Sequence, residues 1–114
     1  MIIVYDSKTG LGKKFAEKLS CPTQSVTESV NSPCLLVTRN VGLGKIPKTT
    51  DKFLRQYHSF VKGVVVNGNR RYGRFFCAAG PKITEKYQIP VALNIEGEGS
   101  EGDVQKALEF LSDL

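Results

Sequence analysis

Three stretches of this chain are apolar at successive positions rather than at alternate ones: Ile2-Ile3-Val4-Tyr5, Cys34-Leu35-Leu36-Val37 and Val64-Val65-Val66. A strand with one face in water alternates apolar and polar side chains, so runs like these belong to strands covered on both faces. Each run leads into a polar loop containing glycine, and each loop leads into a segment patterned as a helix. Strand, loop and helix repeating in this order predict a parallel sheet with helices on its two sides.

The periodicity predicts five strands and four helices. Ile2 to Tyr5 is the first strand, and Lys13 to Leu19 the first helix, with Leu11, Phe15 and Leu19 spaced four apart on one face. Thr23 to Val26 is a short, weakly patterned strand suited to a sheet edge, and Cys34 to Thr38 is the buried third strand. Thr49 or Thr50 is positioned to cap a helix through Tyr57 that buries Phe53, Leu54 and Tyr57. Val61 to Val66 is the fourth strand, interrupted near its start by Lys62-Gly63. A helix ends near Tyr87, with Pro81 either in its first turn or at a kink. Pro90 to Ile95 is the last strand, followed by a helix with Val104, Leu108 and Leu111 on one face. One link is irregular. Only Thr27 to Pro33 separates the second strand from the third, where a parallel crossover usually takes about a dozen residues.

At 114 residues the chain is sized for one domain, 1–114, and it holds no apolar stretch of membrane-spanning length. Met1 runs straight into the first strand without a basic or apolar leader, so a cytoplasmic location is expected. Cys21, Cys34 and Cys77 form no CxxC pair, and His58 has no neighbours at ligand spacing; neither a metal site nor a disulfide framework is expected. The net charge of +5 asks for an anionic partner, such as a phosphate-bearing cofactor or an acidic protein face. A nucleic acid is not expected, because the only basic cluster is Arg70-Arg71-x-x-Arg74 and no recognised binding motif is present.

In an open parallel sheet the loops after the strands' carboxyl ends share one rim, and ligands bind where the strand order reverses. The loops after strands one, three and four should therefore converge. The first, Asp6-Ser7-Lys8-Thr9-Gly10-Leu11-Gly12, offers hydroxyls, close backbone approach and a helix start, all suited to phosphate. It is neither a Walker loop nor GxGxxG. In the second, Thr38, Arg39 and Asn40 precede Gly42-Leu43-Gly44, which leaves room for a flat ring against the backbone. The third holds Asn67, Gly68, Asn69, Tyr72, Gly73 and Phe76, and Tyr72 is an aromatic available for stacking in a polar loop. Taken singly, each loop also reads as an ordinary structural turn.

These residues, in this order, resemble the flavodoxin-like proteins and, within them, the NrdI family. The specific parts are Tyr5-Asp6-Ser7-x-Thr9-Gly10, Thr38-x(3)-Gly42-x-Gly44-x(2)-Pro47, and Gly68-Asn69-Arg70-x-Tyr72-Gly73. Lys86-Tyr87-x-Ile89-Pro90 and the loop from Glu96 to Asp103 also fit, and the short second crossover is similar to that of this compact family. The resemblance covers nearly the whole chain. It implies a three-layer, flavodoxin-like sandwich with a five-stranded parallel sheet of order 2-1-3-4-5 that binds FMN. Ser7, Lys8, Thr9, Gly10, Leu11 and Gly12 would hold the phosphate. Thr38, Arg39, Asn40, Gly42, Leu43 and Gly44 would flank the ring system, with Tyr72 stacking and Asn67, Gly68, Asn69, Gly73 and Phe76 lining the site. It further implies a redox accessory of class Ib ribonucleotide reductase, rather than a free-standing enzyme. Its reduced flavin, supplied by an unidentified reductant, would make superoxide from O2 for the dimanganese-tyrosyl radical cofactor of the small subunit.

The chain departs from the family pattern at Gly12, where a side chain usually closes the phosphate loop, and at Tyr72, often a larger or non-hydroxylated aromatic. It departs again at Arg74, where an acidic residue is expected, and at Cys77, commonly Gly. With Arg70, Arg71 and Arg74 beside the ring, reduction to an anionic flavin should be favoured, and salt should weaken association with an acidic partner. Two other function classes share some of these features. A general FMN electron carrier has the same fold and differs in partner. A receiver-like module without flavin needs an acidic cluster after strand one and an Asp after strand three, where this chain has Asp6 alone and Thr38-Arg39-Asn40.

Overall fold

The computed structural model describes residues 1–114. Five parallel strands form one sheet: β1 (Ile2–Tyr5), β2 (Thr23–Ser25), β3 (Cys34–Arg39), β4 (Val61–Gly68) and β5 (Val91–Glu96), in the order β2-β1-β3-β4-β5. Four helices connect or follow them: α1 (Leu11–Glu17), α2 (Lys48–Tyr57), α3 (Ala79–Tyr87) and α4 (Glu101–Ser112). This is the order and layering the sequence led us to expect. None of the helices is long and apolar enough to cross a membrane.

The apolar runs work as the pattern required. Leu35, Val37 and Val65 pack with Ile3 against Phe15 and Ala16 of α1, Leu19 just beyond its end, and Ala107 of α4. Their neighbours in sequence, Leu36, Val64 and Val66, point with Val4 to the other side, against Phe53 and Leu54 of α2 and Ala79 and Ile83 of α3. Each such buried Val, Leu, Ile or Phe side chain contributes about 1.5–3 kcal/mol, which drives the three layers together.

The sequence placed several boundaries differently. Helix α1 begins two residues earlier than its periodicity suggested, so Leu11 and Gly12 are in its first turn rather than in the loop. Leu11 is only half-buried and is not part of the core stripe formed by Phe15 and Leu19. Helix α2 begins at Lys48 behind Pro47, so neither Thr49 nor Thr50 caps it; both hydroxyls are used elsewhere. Strands β3 and β4 run on through Arg39 and Gly68, so Arg39, Asn67 and Gly68 are strand ends. Lys62 does not interrupt β4. It is a bulge, since Cys34 pairs with Val61 and Leu35 with Gly63, and the exposed Lys62 is the extra residue. Gly63 then lies under the Phe110 ring, where a Cβ would come within 2.5 Å. Pro81 sits in the first turn of α3, where its missing N–H costs nothing.

The link between β2 and β3 contains no helix. It crosses β1 as a loop that buries Val26 and Val30 against the α2–α3 side of the sheet. Because β2 ends at Ser25, the link is eight residues, Val26 to Pro33, and two valines in place of an amphipathic helix make so short a crossover possible.

Candidate functional site

Helix α1 leaves β1 on one side of the sheet, and α2 leaves β3 on the other. The segments leaving these neighbouring strands therefore diverge, and a cleft of about 460 Å³ opens above the strand ends. Fifteen residues line it, from the ends of β3, β4 and β5, the first turn of α1 and the loops after β1, β3, β4 and β5.

The first wall is Asp6, Ser7, Lys8, Thr9, Leu11 and Gly12. Ser7 Oγ accepts the Gly10 amide at 3.0 Å, and Gly10 takes φ +89°, a backbone shape that closes the turn into α1. Lys14 N–H donates to the Gly10 carbonyl, whereas the amides of Leu11, Gly12 and Lys13 have no acceptor within the chain. A Cβ on Gly12 would touch only Val37 and Ser7 at ordinary contact distances of 3.5–3.6 Å, so the loop does not require glycine there.

The second wall is Arg39, Asn40 and Gly42. Val41 and Lys45 exchange both backbone hydrogen bonds, which folds Val41 to Lys45 into a tight turn with Gly42 at φ +56° and Gly44 at φ +82°. Asn40 latches this turn to the next loop: its Nδ2 donates to the Phe75 carbonyl at 2.6 Å and its Oδ1 accepts Ala79 N–H at 2.9 Å. Lys82 Nζ donates to the Gly44 carbonyl at 2.7 Å.

The third and fourth walls are Asn67, Gly68, Asn69 and Tyr72, with Glu96 and Gly97. Asn67 Nδ2 donates to the Gly97 carbonyl at 2.6 Å, and Asn67 O accepts the Asn40 amide at 3.0 Å, so one residue ties three loops. Glu96 accepts Arg70 N–H at 2.8 Å and lies 3.7 Å from its guanidinium nitrogen Nε. Tyr72, in the tight helical turn Arg70–Phe75, is 51% exposed.

Twelve of the eighteen residues singled out in the sequence line the cleft, and six do not. Thr38 is buried beneath it, bonded through its hydroxyl to Thr50 at 2.6 Å. Gly10 and Gly73 shape turns. Leu43 is exposed at the tip next to Gly42. Gly44 packs on Ala78 instead, where a Cβ would come within 2.5 Å. Phe76 carries the Arg70 guanidinium, 4.6 Å from its ring centre. Nor does the basic cluster stand in the cleft. Arg70 is taken by Glu96 and Phe76, and Arg74 lies 5.0 Å over the Phe75 ring, outside the lining. Cys77 is buried below Gly68, with its thiol donating to the Val66 carbonyl at 3.2 Å and pushed up to about 11 by burial.

Three lining residues had not been singled out as site residues: Asp6, Glu96 and Gly97. The rule that gathered the other loops would have found the last two, because Glu96 is the carboxyl end of β5 and Gly97 follows it. Asp6 is the first residue beyond β1. It is 6% exposed and accepts both Thr49 Oγ1 at 2.5 Å and Thr50 Oγ1 at 2.6 Å on the same oxygen, Oδ2. Its other oxygen lies 3.4 Å from Arg39 Nε.

The family model described as NrdI flavodoxin-like matches residues 3–109. The chain belongs to this family. A curated relative, protein NrdI of Bacillus licheniformis, is 36% identical over 106 residues, covering 90% of this chain and 81% of its own length. Among solved structures, a short-chain flavodoxin associated with a non-canonical PDU bacterial microcompartment superposes with a TM-score of 0.77. It is 16% identical and covers 99% of this chain and 94% of its own. A Fusobacterium nucleatum flavodoxin bound to flavin mononucleotide gives 0.58 at 16% identity, covering 98% and 94%. At that identity the likeness is one of fold, and it agrees with the strand order and the two-sided layering of the family member described here.

Proposed function

We propose that this protein binds FMN in the cleft and serves as the redox accessory of a class Ib ribonucleotide reductase. The observation that carries this reading is the meeting, at the β1–β3 switch point, of a phosphate-type loop and an exposed aromatic across one cleft. The donor set fits the cofactor. Ser7, Lys8, Thr9 and the free amides of Leu11 and Gly12 would hold its phosphate, and Gly42, Asn69 and Tyr72 would receive its ring system. Arg39, Asn40, Asn67 and Gly68 lie between them, while Gly10, Thr38, Leu43, Gly44, Gly73 and Phe76 act by shaping or supporting the loops. Family membership and the 36% identical NrdI relative support the link to the reductase.

When bound, the flavin would supply one-electron reduction of O2, and the superoxide would serve as the oxidant for assembling the dimanganese-tyrosyl radical cofactor of the small subunit. The chain's own residues bind and orient. Tyr72 covers a flat face, the asparagines Asn40 and Asn67 fix the loops, and the net charge of +5 favours an acidic face on the small subunit. An unidentified flavin reductant would supply the electrons.

Titration of the purified protein with FMN tests the first half: saturable binding near one to one, with flavin absorption bands, is expected. The second half is tested by mixing the reduced holoprotein with O2 and the manganese-loaded small subunit. A tyrosyl radical signal is expected with the holoprotein and not with free reduced FMN. Equal signals would show that the protein adds nothing to the flavin and would overturn the accessory role.

A further inference from the structure

Four charged side chains line the cleft: Lys8, Arg39, Asp6 and Glu96. Lys8 is exposed, and Glu96 is engaged by Arg70. The Arg39 side chain is only 27% exposed, and its Nε, buried from solvent, makes no hydrogen bond. Its sole charged partner is Asp6, at 3.4 Å. Beneath them the hydroxyls form a directed chain. Thr50 has one proton and gives it to Asp6 Oδ2, so at 2.6 Å from Thr38 it accepts, and Thr38 donates. Thr49 adds a second donor to the same oxygen. Asp6 is thereby pinned by α2 on one oxygen, with the other facing Arg39.

We propose that Arg39 is the residue through which this chain favours the reduced state of its cofactor, and that Asp6 is the positioning residue that holds it. The inference rests on the flavin reading above. Taking up two electrons and one proton leaves the ring system one unit more negative than its oxidised form. A cation in a half-buried position is screened less than one in water and acts on that difference more strongly than Lys8 or the surface cluster Arg70, Arg71 and Arg74. Asp6 is the more buried of the two, 6% exposed against 27%, with Oδ2 bonded to Thr49 and Thr50, so the pair would present its positive end to the cleft.

The test compares FMN binding to the wild type, Arg39→Gln, Arg39→Lys and Asp6→Asn. Dissociation constants are measured for oxidised FMN and, anaerobically, for FMN reduced by dithionite. Linkage requires the ratio of the two constants to match the shift in two-electron midpoint potential measured on the same samples. Arg39→Gln should weaken both complexes, the reduced one by about tenfold more, and Arg39→Lys should keep most of the wild-type ratio. Asp6→Asn gives a decision by sign. Deleting a carboxylate that lines the cleft would by itself increase preference for the reduced form. Loss of a positioning residue lowers it towards that of Arg39→Gln. Thr49→Val, which removes one donor to Asp6 without altering charge, is the milder second variant and should move the ratio the same way. An Arg39→Gln ratio equal to wild type overturns the role of Arg39, and a raised ratio in Asp6→Asn overturns that of Asp6. If wild type binds neither form of FMN, the flavin reading itself fails, an outcome distinct from both.

Discussion

Gly10 and Gly44 both hold positive φ, yet they are glycines for different reasons. At Gly10, φ +89°, nothing lies within 4 Å of where a Cβ would be, so only the backbone conformation resists substitution. At Gly44, φ +82°, the Cβ would come within 2.5 Å of Ala78 Cβ, so the second loop would be pushed off α3 as well. Gly10→Ala should cost about 1–2 kcal/mol from conformation alone. Gly44→Ala should cost that and about 1–3 kcal/mol more from overpacking. Urea midpoints at unchanged slope would measure both, and the reverse ranking would contradict this account of the second loop. The cysteines divide in a similar way. Burial pushes the Cys34 and Cys77 thiols up to about 11, while Cys21 is half-buried. One fast equivalent of thiol reagent at pH 8 is expected in the native state, with the remaining two reacting only on unfolding. Fast modification of two or more thiols would mean that the sheet interior opens readily.

At the scale of elements, the chain's periodicity was enough to place the five strands and four α-helices but not the tight helical turn Arg70–Phe75, nor to say where the polar ends go. Runs such as Leu35-Leu36-Val37 are legible because burial on both faces leaves no other solution. Thr49 and Thr50 were not legible, because capping is the commonest use for a threonine at a helix start, and their real acceptor, Asp6, is more than forty positions away in sequence. Arg39 likewise looks like a loop residue until β3 is seen to run one residue past Thr38. The same limit applies to the contact that joins α2 to α3. Asp51 accepts the Tyr87 hydroxyl at 2.6 Å and pairs with Lys86 at 2.9 Å and Arg55 at 3.0 Å. The Tyr87 hydrogen bond first, then Lys86 and Arg55, hold its carboxyl below the usual range against the opposing effect of burial. A depressed folded-state value stabilises the protein above the ordinary carboxylate range near pH 4, and that contribution is lost as pH falls through the folded-state value. Tyr87→Phe should therefore destabilise by about 0.5–1.5 kcal/mol at pH 7. The gap between it and wild type should narrow as the solution is acidified below pH 4. A gap that stays constant across that range would remove Asp51 as the partner that matters.

For the whole molecule, the strand order β2-β1-β3-β4-β5 has one consequence that no single loop has: the walls of the cleft exist together only in the folded sheet. Residues from Asp6 to Gly97 meet there, and no unfolded segment reproduces more than the first loop. A ligand of this cleft therefore binds the native state and not the unfolded chain, and must raise the melting temperature. At a hundred times its dissociation constant FMN should contribute about 2.7 kcal/mol. For a domain of this size that corresponds to a rise of about 10 °C in Tm. Tyr72 separates binding from folding, because it is 51% exposed and belongs to neither side of the core. Tyr72→Ala should melt with the wild type when both are free of FMN, and should gain clearly less on its addition, since a stacked aromatic is worth about 0.5–1.5 kcal/mol beyond its area. Equal gains in both proteins would take Tyr72 out of the binding site. A lower melting temperature in the free variant alone would make it a structural residue of the third loop.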